Sequence, residues 1–577
     1  MCGIAGCLSF REAVQPTMLK VMTDVIAHRG PDGDGQWINP GRRAGLGHRR
    51  LSIIDLSDKA AQPMHYLNRY TITYNGEIYN YRELKEILLK DGYVFETSSD
   101  TEVLLALYDK KKEKCLNDMD GMFSFAIWDE KEQKLFCARD RFGEKPFYYF
   151  MDDSKFFFGS EMKQLFAAGI PKRRDDHALF RFLANPMILS DRNDPSVTFF
   201  RMIHKLERSH FMVVTLDGKL VKKRYWDINK NAKSSLNLEE AKEEFYRLLC
   251  LSVSRRLRSD VTVGSSLSGG LDSSTIVTII DQIRKGSGQS TFSARFRDHD
   301  KDEGAFIKVM TESIQASPYE CYPDAEGLAT EFSRVSYHQE EPFSSASIYA
   351  QWSVMKLAKE KAVTVLLDGQ GADETLAGYR WYREIFQREQ KGNSFTKMLK
   401  DVKSRVLPSR VSALNDISGL LTSEFKQEFG AECFFEDHQT LTDKLYYDTM
   451  TEGLEDLLRY ADRNSMAHSR EVRLPFLFHE LVEFIFTLPS AFKLHGSWSK
   501  YILRIAFEKL LPPGIAWRKD KIGYEPPQDA WLAIPAMREN IQEAKNKLTA
   551  EKILKKGATL STSVEWSVLV SNSTLFT

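Results

Sequence analysis

A chain of 577 residues with 80 Lys+Arg against 80 Asp+Glu has no net field to draw nucleic acid or an anionic membrane, and is long enough to bury the cores of two or more domains. Seven cysteines, at 2, 7, 115, 137, 250, 321 and 433, show neither CxxC nor Cys/His metal spacing, and their odd number fits a reducing compartment. No apolar run is long enough to span a bilayer and the first residues lack a secretory signal, so the expectation is a cytoplasmic enzyme with no nucleic-acid partner and no membrane span.

The chain opens on Met1-Cys2-Gly3-Ile4-Ala5-Gly6. A cysteine in second place can become the mature N-terminus, where its own α-amino group, with an ordinary pKa of about 7.7–8.0, serves as base to the thiol. Taken alone, Cys2 reads equally as a small buried apolar residue. Up to about residue 210 short strands alternate with Gly, Asn and Asp breaks, as at Tyr70-Thr71-Ile72-Thr73-Tyr74 and Met122-Phe123-Ser124-Phe125-Ala126-Ile127-Trp128, which predicts antiparallel sheets carrying a few helices. Asn75-Gly76 has the composition of a type I′ hairpin turn. Residues 211–235 read as a connecting segment, its polar, lysine-bearing end running from Trp226 to Ser235.

From about 236 the texture changes to long amphipathic helices, the first predicted from Leu238 to Arg258, separated by predicted strands at 261–267, 291–296 and 363–367. That alternation is a parallel α/β core, and a largely helical region follows from about 380. The first strand runs into Ser268-Gly269-Gly270-Leu271-Asp272-Ser273-Ser274 and an apolar helix. Paired glycines let backbone approach a ligand, and the serines add hydroxyl donors beside the first N–H groups of the helix, so the loop is a phosphate cradle. Asp272 in an anion site implies a cation, which makes a nucleotide phosphate with Mg²⁺ the expected ligand. The lysine of a Walker-type loop is absent, which disfavours ordinary kinase or GTPase chemistry. Leu366-Leu367-Asp368-Gly369-Gln370-Gly371-Ala372-Asp373-Glu374 repeats the order of strand, glycine loop and acids; such an acidic pair suits a solvated helix start or a metal.

Cys2, His28-Arg29-Gly30-Pro31-Asp32-Gly33, Arg50-Leu51-Ser52-Ile53-Ile54-Asp55, Tyr74-Asn75-Gly76-Glu77-Ile78-Tyr79-Asn80 and Ser99-Asp100-Thr101-Glu102 together resemble the glutaminase domain of class II, N-terminal-nucleophile (Ntn) amidotransferases. The Ser-Gly-Gly-Leu-Asp-Ser-Ser loop resembles the pyrophosphate loop of ATP pyrophosphatases. The two in this order resemble the glutamine-dependent asparagine synthetase family over nearly the whole chain. The resemblance implies an αββα Ntn-hydrolase sandwich (α+β) at 1–210, then an α/β parallel-sheet ATP-pyrophosphatase domain with a helical C-terminal region at 236–577. It implies glutamine hydrolysis at Cys2, with Asn75 and Gly76 as oxyanion donors and Arg50, Ile54, Glu77 and Asp100 around glutamine. Ammonia would pass internally to a carboxylate, aspartate first and a sugar uronic acid second, that ATP adenylates.

For that second site the resemblance assigns Leu267, Ser268, Gly269, Gly270, Asp272, Ser273, Ser274, Ala294, Asp368 and Gly369 to ATP, Asp272 and Asp373 to Mg²⁺, Gln370 to the acceptor and Lys521, in Lys521-Ile522-Gly523-Tyr524, to catalysis. Partners are then small molecules, with room for a homodimer. Departures from the family pattern fall at Asp368, usually Ser, at Gln370, usually Glu, and at Phe478, usually Asp after Glu471-Val472-Arg473-Leu474-Pro475-Phe476-Leu477. Arg470 and Arg473 suit helix-end ion pairs or substrate contact. Gln339 to Ile348 is expected to face the acceptor, whereas Ala138 to Tyr149 and Gly159 to Lys163 are expected at the domain contact.

Overall fold

A computed structural model of the chain describes all residues except 187, 188, 190, 192, 287, 392–416, 418, 430–437, 520–523 and 577. The alternating segments of the first half form twelve strands: β1 (Gly3–Ser9), β2 (Gly33–Ile38), β3 (Ala44–Arg50), β4 (Met64–Tyr66), β5 (Tyr70–Ile78), β6 (Gly121–Asp129), β7 (Lys134–Arg139), β8 (Tyr148–Met151), β9 (Lys155–Gly159), β10 (His204–Lys205), β11 (His210–Thr215) and β12 (Leu220–Arg224). They make two six-stranded sheets, in the orders β10-β8-β9-β1-β3-β2 and β12-β11-β7-β6-β5-β4. Helix α1 (Pro16–Asp24) packs on β1 and β3, while α2 (Tyr81–Lys90) packs on α3 (Asp100–Lys111), which covers β4 and β5; β1 meets β5 between the sheets. This is the αββα sandwich. β6 reads as a nearly unbroken apolar run because sheet on one side and helix on the other leave it no wet face.

The stretch expected to be a connecting segment, 211–235, instead begins with β11 and β12, which extend the second sheet; its Val213-Val214 and Leu220-Val221 pair across a Gly218 turn with φ +80°. Asn75 and Gly76 do not turn either. They lie inside β5, opposite Ser124 and Phe123 of β6.

The second half is built on five parallel strands in the order β15-β14-β13-β16-β17, where β13 is Val263–Ser266, β14 Gln289–Ala294, β15 Ala316–Cys321, β16 Val365–Leu367 and β17 Glu471–Arg473. Chain order runs outward from β13 in both directions, so the loops after β13 and β16 lie side by side at the switch point, where doubly wound sheets bind ligands. Neither β15 nor β17 announces itself in sequence. β15 is a half-exposed edge that tolerates Pro318, and β17 carries two buried charges.

The halves meet through buried ion pairs: Arg139 with Glu455 at 2.7 Å, Arg29 with Asp462 at 2.9 Å and Arg463 with Glu161 at 3.4 Å. Glu161 joins this network through Arg29 and Arg463, as expected for Gly159 to Lys163. Such pairs add little net stability but fix the register of docking, because a lost partner strands a buried charge. Glu340 and Glu341, expected at the acceptor, also belong here. Glu340 accepts from the N–H groups of Met162 and Lys163, and Glu341 from that of Phe199.

Candidate active sites

The first site lies at the start of β1. Cys2 is buried, with Arg50, Ile54, Tyr74, Gly76, Glu77, Asp100 and Thr101 around the same small pocket. Its N–H donates to Asn75 Oδ1 at 2.9 Å, and its Sγ lies 3.8 Å from the Leu51 carbonyl oxygen. Asn75 is fully buried, and its Nδ2, the other end of the same amide, has no hydrogen-bond partner among the described residues. A buried donor left unpaired costs about 1–3 kcal/mol, which a ligand oxygen would recover. Gly76 is glycine because β6 passes close by: a Cβ there would stand 2.2 Å from the Met122 carbonyl oxygen.

Arg50 donates to the carbonyls of Asp55 and Ser57 while lining the pocket. Asp100 Oδ2 accepts from the Tyr74 hydroxyl at 2.8 Å and the Ile78 N–H at 2.9 Å, yet burial pushes its carboxyl up to about 6. Burial, together with Glu471 and Asp100, pushes the Glu77 carboxyl well up as well, against Arg473, which lies 3.7 Å away. The Cys2 thiol is likewise raised by burial, against the pull of the N-terminal ammonium.

The second site is a cavity of ≈ 660 Å³ at the switch point, lined by Ser268, Gly270, Asp272, Ser273, Asp368, Gly369, Gln370 and Asp373 among others. The helix Leu271–Arg284 starts at Gly270 with no side-chain cap, so its first N–H groups remain for an anion. The loops after β13 and β16 touch: a Cβ on Gly369 would be 3.0 Å from that of Asp272. Burial pushes the Asp368 carboxyl up, against the opposing pull of the nearby Ser266 hydroxyl and the Gly369 and Gln370 N–H groups.

Lys500 went unnoticed in the sequence. Its ammonium pairs with Asp373 at 2.7 Å and also with Asp272, and these carboxylates push its pKa up although burial opposes the charge. No local pattern marks it; Lys500 sits at φ +52°, ahead of the short helix Tyr501–Phe507, where the fold brings it to loops 228 and 127 positions earlier in the chain. Arg518, inside a motif searched for its lysine, donates to the Gly269 carbonyl and pairs with Glu303 at 2.8 Å, and its Nη2 has no partner among the described residues. Lys521 lies outside the described residues.

Other expected residues stand apart from the cavity. Leu267, Gly269, Ser274 and Ala294 do not line it, and the Ala294 N–H is taken by the Tyr524 hydroxyl at 2.8 Å. Phe478 is a core residue with no exposed surface, its ring under Arg256, so the departure there is a packing choice. Arg470 donates to the carbonyls of Val363 and His468, and Arg473 donates through Nη1 to those of Arg256 and Arg258 and through Nε to Glu471. Of the segment expected to face the acceptor, Ser347 and Ile348 do line the cavity.

One helix, Leu454–Ala467, touches both sites. Its Leu457 and Tyr460 line the large cavity, and its Met466 packs with Met1, Tyr79 and Met122 in a small apolar cluster beside Cys2. A buried thiol pocket in the first half and a glycine-loop cavity at the switch point of the second are the arrangement of a two-site amidotransferase. The comparisons agree. Residues 1–226 match the glutamine amidotransferase domain family and residues 244–565 the asparagine synthase family. The glutamine-hydrolysing asparagine synthetase 3 of Bacillus subtilis is 32% identical over 90% of this chain and 86% of its own length, and asparagine synthetase 1 of the same organism is 32% identical over 92% and 88%. A putative asparagine synthetase 2 of Methanocaldococcus jannaschii is 35% identical over 76% and 88%. The chain belongs to the family of glutamine-hydrolysing asparagine synthetases, ATP-using carbon–nitrogen ligases.

Proposed function

We propose that Cys2 attacks the side-chain amide of glutamine and that the large cavity adenylates a carboxylic acid, which the released ammonia converts to an amide. The observation that carries this reading is the unpaired Nδ2 of Asn75, a buried donor held beside the thiol by the Oδ1 contact to Cys2. In the tetrahedral intermediate Asn75 Nδ2 and the Gly76 N–H would hold the oxyanion. Arg50 would take the glutamine α-carboxylate, Glu77 and Asp100 its ammonium, and Ile54 would pack on the stem. Ammonia leaves as the thioester forms, and the Met122 and Met466 side chains offer a dry way onward, which keeps it unprotonated.

At the second site Ser268, Gly270, Ser273 and the helix N-terminus would hold the phosphates of ATP. Asp272 and Asp373 face one shared cation, the Lys500 ammonium, and two carboxylates completed by phosphate oxygens suit Mg²⁺. These two residues would hold the metal, which when bound offsets the charge of the departing pyrophosphate. Lys500 and Arg518 would neutralise the phosphates as the acceptor carboxylate attacks the α-phosphorus. Ammonia then adds to the acyl carbon and AMP leaves.

Aspartate is the first acceptor expected, and one observation favours the second, a sugar uronic acid. The acidic side chains that line the cavity among the described residues, Asp272, Asp368 and Asp373, all sit in the two phosphate-side loops, Gln370 is neutral, and Arg380 and Arg383 add positive charge. Among the described residues an α-ammonium like that of aspartate finds no carboxylate outside those two loops. Pyrophosphate release from ATP with ammonium and Mg²⁺, run with aspartate and a panel of uronic acids and checked for the amide, tests both readings. Asparagine as product assigns aspartate, a uronamide alone assigns the sugar, and no acid-dependent release at all would overturn the synthetase reading.

Asp100 also sets a pH dependence. A carboxyl raised to about 6 is neutral below that pH and cannot hold the glutamine ammonium. The kcat/KM for glutamine is therefore expected to fall as pH drops through about 6. A profile of glutamate release that stays flat between about pH 5 and 7 would remove Asp100 from glutamine binding.

A further inference from the structure

Arg29 is completely buried in the short turn Ala27–Arg29 of the glutaminase half, and all three of its nitrogens are engaged. Nε donates to the carbonyl oxygen of Cys2 at 3.0 Å. Nη1 and Nη2 form a two-pronged pair with Asp462 at 2.9 and 3.0 Å, and Nη1 also reaches Glu161 at 2.9 Å. Asp462 comes from the other half, on the helix Leu454–Ala467, and does not line the large cavity. A guanidinium is flat and its donors are fixed in one plane, so a carboxylate that grips two of them also aims the third. Here the third is aimed at the nucleophile's own carbonyl. Cys2 precedes the first residue of β1, and its N–H and carbonyl are met by the side chains of Asn75 and Arg29.

We infer that Asp462 of the synthetase half is a positioning residue for Cys2, acting through Arg29, so that the glutaminase site is complete only when the two halves are docked. Glutamine itself meets Arg50, Glu77 and Asp100, none of which touches this pair, so the effect falls on turnover more than on binding. The inference rests on Cys2 being the glutaminase nucleophile, and Cys2→Ala is the control for that reading.

The test is Asp462→Asn, which keeps the shape and removes the charge, assayed as the full chain for glutamate release and for ammonium-driven pyrophosphate release. The expected result is a kcat for glutaminase lower by about 10- to 100-fold, a KM for glutamine within about threefold, and ammonium-driven release within about twofold. Arg29→Lys keeps a positive charge facing Asp462 but lacks the guanidinium plane that joins it to the Cys2 carbonyl, and should reproduce the same split; it decides the matter if Asp462→Asn does not fold. An unchanged glutaminase kcat, or a parallel fall of both activities, overturns the inference and leaves the pair as domain glue. Glutaminase surviving in Cys2→Ala would overturn the underlying reading as well.

Discussion

Cys2→Ala is expected to lower glutamine-dependent amide formation by roughly 10⁴-fold or more while ammonium-driven formation continues at its former rate, since removing an enzyme's nucleophile costs up to about 10⁶. The two pockets proposed for the half-reactions are separate: the thiol pocket is bounded by Cys2, the end of β3 with its following loop, β5 and the start of α3, and the large cavity by the loops after β13 and β16. Ammonium added to the medium reaches the second without the first. The side chain removed is small, and its one polar contact, a 3.8 Å approach to the Leu51 carbonyl, is weak, so the fold should tolerate alanine. The check is amide yield from glutamine against amide yield from ammonium chloride. Loss of both in a folded variant would mean that the pockets are not chemically independent.

Asp272→Ala is expected to act in the opposite sense, cutting pyrophosphate release by about 10³-fold, the several kcal/mol that a cation at a phosphoryl centre contributes, and leaving glutamate release intact. Two effects reinforce each other. The substitution removes a proposed metal ligand, and it leaves the buried Lys500 ammonium with Asp373 as its remaining ion-pair partner in the structure. Asp272→Asn should be nearly as damaging, because the amide keeps the volume but not the charge. Isotope exchange between pyrophosphate and ATP reads this step directly, and exchange at an undiminished rate would remove Asp272 from the adenylation site.

Much of this architecture is written locally. The alternation around Tyr70 to Tyr74 and the apolar run at Met122 to Trp128 mark β5 and β6, and the glycine loop after β13 carries its ligand chemistry within seven residues. Asn75-Gly76 misleads because its composition is that of a turn, while the glycine answers a close approach from Met122, a neighbour 46 positions away in sequence. Glu340, Glu341 and Arg473 look like ligands for the same reason. Charges buried at a contact between halves are indistinguishable in sequence from charges that meet a substrate. Lys500 is the clearest case, since nothing near it in the chain reveals that two distant loops converge on its ammonium.

Met1 is almost wholly enclosed, its side chain packed against Tyr79, Met122 and Met466 and its ammonium 2.8 Å from Glu471 of the other half. The residue next to Cys2 is thus tied to the second half by a buried charge pair, so any shift of one half against the other is felt within one residue of the thiol.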